Sequence, residues 1–192
     1  DPSIIIDKLQ EKNGSSLNEY GFTEQNGVYR AIGANETPEQ GDDNTFNNCS
    51  SRLLISGKAN DKTTFSMTYA TEQDSDFVYI YLHRVNGLND FKQIDVNTII
   101  ESMTTLYTLS GKDNTNNVPH VLDFDQTPTH DYIIEIRYIK DLFFDANGPS
   151  GGDLVTVEDI KLNGILNSHV TTRLGTIDNL LEGASSFNQP LQ

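Results

Sequence analysis

Tryptophan is absent from this chain of 192 residues, which also has only one cysteine and two methionines. The single cysteine, Cys49, cannot form a disulfide within the chain, so cysteine usage does not indicate a redox compartment. We expect Cys49 to be a small buried thiol, as free cysteines usually are. Because tryptophan offers a broad ring on which sugars stack, its absence disfavours a strong carbohydrate-binding platform.

Basic residues are also scarce. The chain has 13 Lys and Arg against 28 Asp and Glu, a formal net charge of −15 at pH 7. Such a charge repels phosphate backbones, so we expect no nucleic-acid partner and a preference for cations. No apolar run reaches the roughly 18 residues that a transmembrane helix needs. No signal peptide is present and the chain opens at Asp1, so we expect a processed or excised fragment.

The apolar residues that are present follow a period of two. From Tyr132 to Tyr138, apolar and aromatic side chains alternate with Glu135 and Arg137, the pattern of a half-buried strand. Similar runs, bounded by turn residues, occupy positions 51–56, 63–70, 77–84, 118–124 and 154–162. This spacing of strands and turns predicts an all-β fold, an antiparallel, jelly-roll-like β-sandwich with one or two short helices.

Three local predictions accompany that fold. The strands at 132–139 and 154–162 are predicted to form a long hairpin around the glycine-rich loop 145–152. A shorter hairpin is predicted at 22–32, with Asn26-Gly27 as its turn. Residues 4–9 and 94–107 have apolar spacings that fit either a short amphipathic helix or a strand.

Several of these stretches carry a resemblance to known domains. They are SRLLI at 51–55, FSMTY at 65–69, DFVYIYL at 76–82, YIKD at 138–141 and VEDIKL at 157–162. Together they resemble the strands of extracellular β-sandwich domains of the jelly-roll, MAM-like or lectin-like kind, over residues 22–164. The resemblance implies an extracellular sandwich and says almost nothing about the ligand.

A second resemblance lies near the end of the chain. The sequence GASSFNQPL at 183–191 is similar to one unit of the 25- to 26-residue, BspA-like repeat of surface proteins. In that unit Ile177, Leu180 and Leu181 occupy the apolar positions that precede this motif. A single solenoid repeat cannot bury its own faces, so we expect the start of an array or a lone vestige docked on the sandwich. The predicted division is an N-terminal extension at 1–21, the sandwich at 22–166, and a linker with a partial repeat at 167–192.

Acidic residues cluster in the predicted loops. The group around the glycine-rich loop offers Asp141, Asp145, Asn147 and Asp153 as oxygen ligands, the kind that Ca²⁺ prefers. Another acidic group holds Glu72, Asp74 and Asp76. The alternative is that these are ordinary solvated loop residues, because turns favour Asp and Asn in any case. Calcium is therefore the one cofactor that we consider.

No catalytic motif is present. The chain has no HExxH or CxxC motif, and its histidines lack the spacing of a zinc pair. It also has no GxSxG motif and no phosphate-binding glycine loop. We therefore expect no enzymatic activity.

Aromatic residues are the better indication of function. Tyr79 and Tyr81 fall on one face of their strand, where sugar rings can stack. Phe143 and Phe144 lie at a strand end, either as a contact surface or, as we favour, in the core, because exposed apolar patches are uncommon.

The sequence thus predicts a non-catalytic recognition or adhesion domain, which binds a glycan or protein ligand at an extracellular, cell or virion surface. Two alternatives stay open. One is a structural protein of a virion or cell envelope, assembled through packing of its sandwiches. The other is an accessory carbohydrate-binding module of an enzyme.

Overall fold

The computed structural model describes residues 4–7, 18–34, 49–86, 99–113, 115–116, 118–141, 152–167 and 170–173. These form two β-sheets with almost no helix, and the predicted all-β sandwich is confirmed. Among the described residues, helix is limited to the 3-10 turn Ile32–Ala34. The described residues contain no helix that is long and apolar enough to cross a membrane.

The first sheet, sheet A, has seven strands. They are β1 (Ile4–Asp7), β2 (Asn18–Tyr20), β5 (Cys49–Gly57), β7 (Phe77–Asn86), β8 (Ile99–Leu109), β10 (Tyr132–Lys140) and β13 (Val170–Arg173). Their spatial order is β13-β1-β5-β10-β7-β8, and β2 pairs with β5 alongside β1. The pairs β1–β13 and β2–β5 are parallel, and the other pairs of this sheet are antiparallel.

The second sheet, sheet B, has six strands. They are β3 (Phe22–Gln25), β4 (Val28–Ala31), β6 (Thr63–Ala70), β9 (His120–Gln126), β11 (Leu154–Leu162) and β12 (Ile165–Leu166). Their order is β3-β4-β11-β6-β9, and β12 pairs with the end of β11. From β5 to β7 and again from β9 to β11 the chain alternates between the two sheets, which is typical of a jelly-roll-like sandwich.

The core lies between the inner faces of the two sheets. On β10 the alternate residues Tyr132, Ile134, Ile136 and Tyr138 are buried against side chains of sheet B. Period-two patterning explains this, because every second side chain of a strand points to the same face. The predicted burial of these residues is confirmed, and Cys49 is fully buried as expected.

The predicted long hairpin is wrong. β10 pairs with β5 and β7 in sheet A, whereas β11 pairs with β4, β6 and β12 in sheet B. The chain therefore crosses from one sheet to the other between Lys140 and Leu154. Each strand has an apolar face, and placing the strands in opposite sheets lets both faces cover the same core.

The short hairpin is confirmed. β3 and β4 pair around Asn26 and Gly27, whose φ angles are 51° and 79°. Positive φ at both central residues is the requirement of a type I′ turn, which matches the twist of the flanking strands.

The two ambiguous stretches prove to be strands where the structure describes them. Ile4–Asp7 is β1 and Ile99–Leu109 is β8, whereas residues 87–98 lie outside the described part. β1 and β2 come from the predicted extension and β13 from the predicted linker, and all three pair within sheet A. The repeat-like residues 177–191 lie outside the described residues.

Candidate functional site

Strand β7 carries a row of aromatic side chains on the outer face of sheet A. Val78 and Ile80 point into the core and are fully buried. The intervening residues Phe77, Tyr79 and Tyr81 therefore point outward, and each is partly exposed. Aromatic residues suit this position because they favour pleated, half-buried surfaces.

The rings of this row stack on one another. The Phe77 and Tyr79 centroids are 5.8 Å apart, and those of Tyr79 and Tyr81 are 5.7 Å apart with an interplanar angle of 9°. His83 continues the row, with its ring 6.2 Å from that of Tyr81. The predicted shared face of Tyr79 and Tyr81 is thus confirmed, and the two nearly parallel rings stack in one aromatic row on that face.

Charged side chains from the central strands lie beside this surface. Strand register places Arg137 of β10 between Tyr79 of β7 and Arg52 of β5. Glu135 lies next to Tyr81 in the same way. The Arg137 guanidinium carbon lies 5.4 Å from the centre of the Tyr81 ring, within cation–π range.

Glu135 is the centre of this polar group. Its Oε2 accepts a hydrogen bond from Arg137 Nε at 2.6 Å, and its Oε1 lies 2.8 Å from His83 Nε2. Arg52 Nε is 3.8 Å from the same Oε2. The side chains of Glu135, His83 and Arg52 are almost completely buried, whereas that of Arg137 is 23% exposed. The carboxylate is thus enclosed, and Arg137 is the member of the group that reaches solvent.

The electrostatics of the group follow from these contacts. Burial by itself raises the pKa of the Glu135 carboxyl, but the hydrogen bond from His83 and the charges of Arg137 and Arg52 outweigh it, so its pKa is lowered. Burial raises the pKa of the Tyr81 hydroxyl, and the charge of Arg137 partly opposes that rise. Tyr81 therefore keeps its proton at neutral pH and can donate a hydrogen bond.

This arrangement offers a row of partly exposed aromatic rings with hydrogen-bonding groups at its side. Ring faces bind apolar C–H surfaces, and the guanidinium and hydroxyl groups donate hydrogen bonds to oxygen. The aromatic rings and Arg137 belong to β7 and β10, which lie in the middle of sheet A. Their side chains therefore lose little conformational freedom on binding.

A second cluster lies at the crossing from β10 toward β11. Glu72, Asp76 and Asp141 each offer an oxygen within 4.8 Å of the others. Lys140 Nζ lies 3.9 Å from Asp76 Oδ2 and 3.7 Å from Asp141 Oδ1, so a buried ammonium already supplies positive charge there. Asp76 Oδ1 also accepts a hydrogen bond from the backbone N–H of Asp141 at 2.8 Å.

Asp153 lies beside this cluster with its oxygens engaged. Its Oδ1 accepts the backbone N–H of Glu72 at 3.2 Å, and its Oδ2 accepts the hydroxyl of Tyr138. The pKa of that hydroxyl is raised well above its usual value, first by burial and then by the charge of Asp153. Through these two hydrogen bonds Asp153 connects Tyr138, near the end of β10, with Glu72 in the turn before β7.

The predicted site residues thus divide into three groups. Tyr79 and Tyr81 lie together on an outer face, and Asp141 and Asp153 lie near one another at one end of the sandwich. Phe143, Phe144, Asp145 and Asn147 lie outside the described residues.

Sequence reasoning did not join Arg52, Glu135 and Arg137 to the tyrosines. Alternation had placed Glu135 and Arg137 on one face of their strand. The missing information was the register, which sets β10 between β5 and β7. The same limit applies to Glu72 and Asp76, which the sequence pattern placed in a different acidic group from Asp141, whereas the structure brings all three together.

Comparison with known proteins adds little. No protein-family model matches the chain, and no curated protein matches it. A solved structure titled "CBM4 structure and function" is similar over 73% of both chains, with 11% identity and a TM-score of 0.32. A likeness at this level carries no argument about what the present chain binds.

Proposed function

We propose that this chain is a non-catalytic recognition domain that binds a glycan on the outer face of sheet A. Tyr79 and Tyr81 provide the stacking surface, and Arg137 with the Tyr81 hydroxyl provides hydrogen bonds. One observation carries the proposal: the partly exposed, nearly parallel Tyr79 and Tyr81 rings lie 5.7 Å apart beside the Arg137 guanidinium.

The composition of this surface supports a sugar ligand. A pyranose ring has apolar C–H faces and hydroxyl edges, and it therefore needs aromatic faces and donors side by side. The proposal places the chain outside the cell, at a cell or virion surface, where such glycans are displayed. An accessory module of a polysaccharide-degrading enzyme would need the same surface.

Binding of the intact chain to a panel of polysaccharides tests the proposal. Affinity electrophoresis should show retardation by at least one of them, and Tyr81→Ala should weaken that binding about tenfold or more, as truncation of a central aromatic contact does. Tyr81→Phe keeps the ring and is the matched control, with only a small loss. Absence of binding to every polysaccharide, or full binding by Tyr81→Ala, would contradict the proposal.

We also propose that the chain catalyses no reaction. This rests on the absence of catalytic motifs from the sequence. Hydrolysis of a glycan, ester or peptide by the purified chain, abolished by one carboxylate, serine or histidine substitution, would overturn it.

Assembly into a virion or envelope layer is the second candidate. The observation in its favour is a set of exposed apolar side chains on β9, on β12 and just before β9: Val118 is 48% exposed, Val121 68%, Ile165 74% and Leu166 60%. A stable interface buries about 1,200–2,000 Å² in total, so a structural subunit should associate at micromolar concentration. A sedimentation experiment distinguishes the two candidates, because the recognition domain should stay monomeric.

A further inference from the structure

The two residue rows that contain Tyr79 and Tyr81 have an unusual charge for this chain. Across β5, β10 and β7 they contain Arg52 and Arg137 but only one acidic residue, Glu135. The chain as a whole has more than twice as many acidic as basic residues. In these two rows arginine therefore outnumbers acidic residues, the reverse of the balance in the chain as a whole.

The Arg137 side chain is fixed in place and has donor groups for a hydrogen-bond acceptor on a ligand. Its Nε donates to Glu135 at 2.6 Å and its guanidinium lies over the Tyr81 ring at 5.4 Å. An arginine has five donor hydrogens, and the Nε contact uses one, so the two terminal nitrogens keep the fork that binds carboxylates in pairs. Its side chain is 23% exposed, so the outer end of the guanidinium is accessible from the aromatic surface.

Glu135 does not cancel this charge. Its carboxylate is shared among Arg137, His83 and Arg52, and it is fully buried. The hydrogen bond to Glu135 engages Nε of Arg137, so an additional anion at the terminal nitrogens would still meet the attraction of that guanidinium.

We propose that the glycan bound on this face is anionic, and that a carboxylate or sulfate group of it binds the terminal nitrogens of Arg137 while a neighbouring sugar ring stacks on Tyr79 and Tyr81. This inference rests on the glycan-binding function proposed above and specifies its substrate class. A charge-assisted, paired hydrogen bond is markedly stronger than a bond to a sugar hydroxyl. Because Glu135 and Tyr81 fix the guanidinium beforehand, little side-chain entropy is lost on binding.

Matched pairs of polysaccharides test the substrate class. Polygalacturonate and its methyl ester have the same backbone and differ in charge, and dextran sulfate with dextran gives the corresponding sulfate pair. The intact chain should bind at least one charged form about tenfold more tightly than its neutral counterpart. The pair that shows the preference tells whether carboxylate or sulfate is recognised.

Variants locate the contact. Arg137→Gln should bring the ratio of the two affinities close to one, because the charged form loses the paired hydrogen bond and the attraction of the guanidinium charge, whereas the neutral form loses only weaker hydrogen bonds. Lys161→Gln removes one positive charge from an exposed position on sheet B and should keep the full preference. Arg137→Lys keeps the charge without the fork and should fall between the wild type and Arg137→Gln, which gives a readout if the glutamine variant fails to fold.

The outcomes separate the two proposals. Equal or tighter binding of the neutral forms overturns the anionic glycan while leaving the glycan site intact. A preference for the charged form that survives in Arg137→Gln and Arg137→Lys overturns the role of Arg137. If the wild type binds neither the charged nor the neutral forms and no other polysaccharide, the glycan-binding function itself is wrong.

Discussion

Glu135 shows at the residue scale how a charge is kept inside this sheet. It has no exposed side-chain surface, yet it accepts a hydrogen bond from Arg137 and lies 2.8 Å from His83. An isolated carboxylate could not be buried in this way, because its desolvation costs far more than a fold can supply. These contacts with Glu135 therefore hold Arg137 and His83 in fixed positions beside the Tyr81 ring.

Acid should weaken the fold through this residue. The pKa of Glu135 is lowered from an ordinary value of 4.5, so the folded chain holds its proton less tightly than the unfolded chain does. Its stabilising contribution is present above that ordinary value and is lost as the pH falls through the lowered pKa. Glu135→Gln should cost about 3 kcal/mol at neutral pH, and its difference from the wild type should shrink in acid.

Urea unfolding at several pH values measures this effect. Glu158→Gln, which removes an exposed carboxylate of β11, is the control and should be nearly neutral at every pH. A difference between wild type and Glu135→Gln that stays constant from neutral to acid pH would contradict the assigned role of the Glu135 charge.

Core packing gives a second prediction for single residues. Ile136 is fully buried in the middle of β10 between the two sheets. Ile136→Ala should lower the free energy of unfolding by about 2–5 kcal/mol, because it removes buried methyl groups and leaves a cavity. Val121→Ala, at a side chain that is 68% exposed, should cost less than about 0.5 kcal/mol. Equal losses for the two variants would mean that the faces of β10 are misassigned.

At the scale of elements, β10 connects the core with both clusters. Its even-numbered residues from Tyr132 to Tyr138 fill the core, Glu135 and Arg137 form the outer polar group, and Lys140 at its end enters the acidic cluster. A central strand with neighbours on both sides positions such side chains rigidly, since both of its edges are hydrogen-bonded.

Calcium binding at the crossing after β10 is an element-scale prediction. Oxygens of Glu72, Asp76 and Asp141 converge there, and a divalent cation would relieve the repulsion among the three carboxylates. Millimolar Ca²⁺ should therefore raise the melting temperature, by an amount that corresponds to about 2.7 kcal/mol at a hundredfold excess over Kd.

Differential scanning fluorimetry with Ca²⁺ and with chelator provides the measurement. Asp141→Asn should remove this rise in melting temperature, because it removes a ligand carboxylate. Asp153, which the sequence pattern had placed among the ligands, instead accepts the backbone N–H of Glu72. Asp153→Ala should therefore also remove the rise, because Glu72 would lose its fixed position. Asp123→Asn on the exposed face of β9 is the control and should leave the rise unchanged. Identical melting curves in Ca²⁺ and in chelator would mean that this cluster binds no Ca²⁺.

At the scale of the whole molecule, periodicity and turn chemistry were enough to predict the fold class. Alternation marked most strands of the sandwich, and Asn26-Gly27 marked a hairpin turn that the structure confirms. These signals are local, because side-chain alternation and positive φ depend only on neighbours in the chain.

What the sequence did not predict is non-local. The hairpin proposed for 132–139 and 154–162 failed because alternation shows that a strand has two faces without showing which strand it pairs with. For the same reason the placement of Arg52 and Arg137 beside the tyrosines followed only from the register of β5, β10 and β7.

The central claim is that the outer face of sheet A binds a glycan through Tyr79 and Tyr81. The chain has 8 tyrosines and no tryptophan, so ring-labelled tyrosine gives a small set of NMR signals spread over the molecule. Titration with oligogalacturonate, or with the best-bound oligosaccharide of the panel, should shift the ring signals of Tyr79 and Tyr81 and leave those of the buried Tyr29 and Tyr132 unchanged. Saturable shifts at other tyrosines, with Tyr79 and Tyr81 unaffected, would contradict the account.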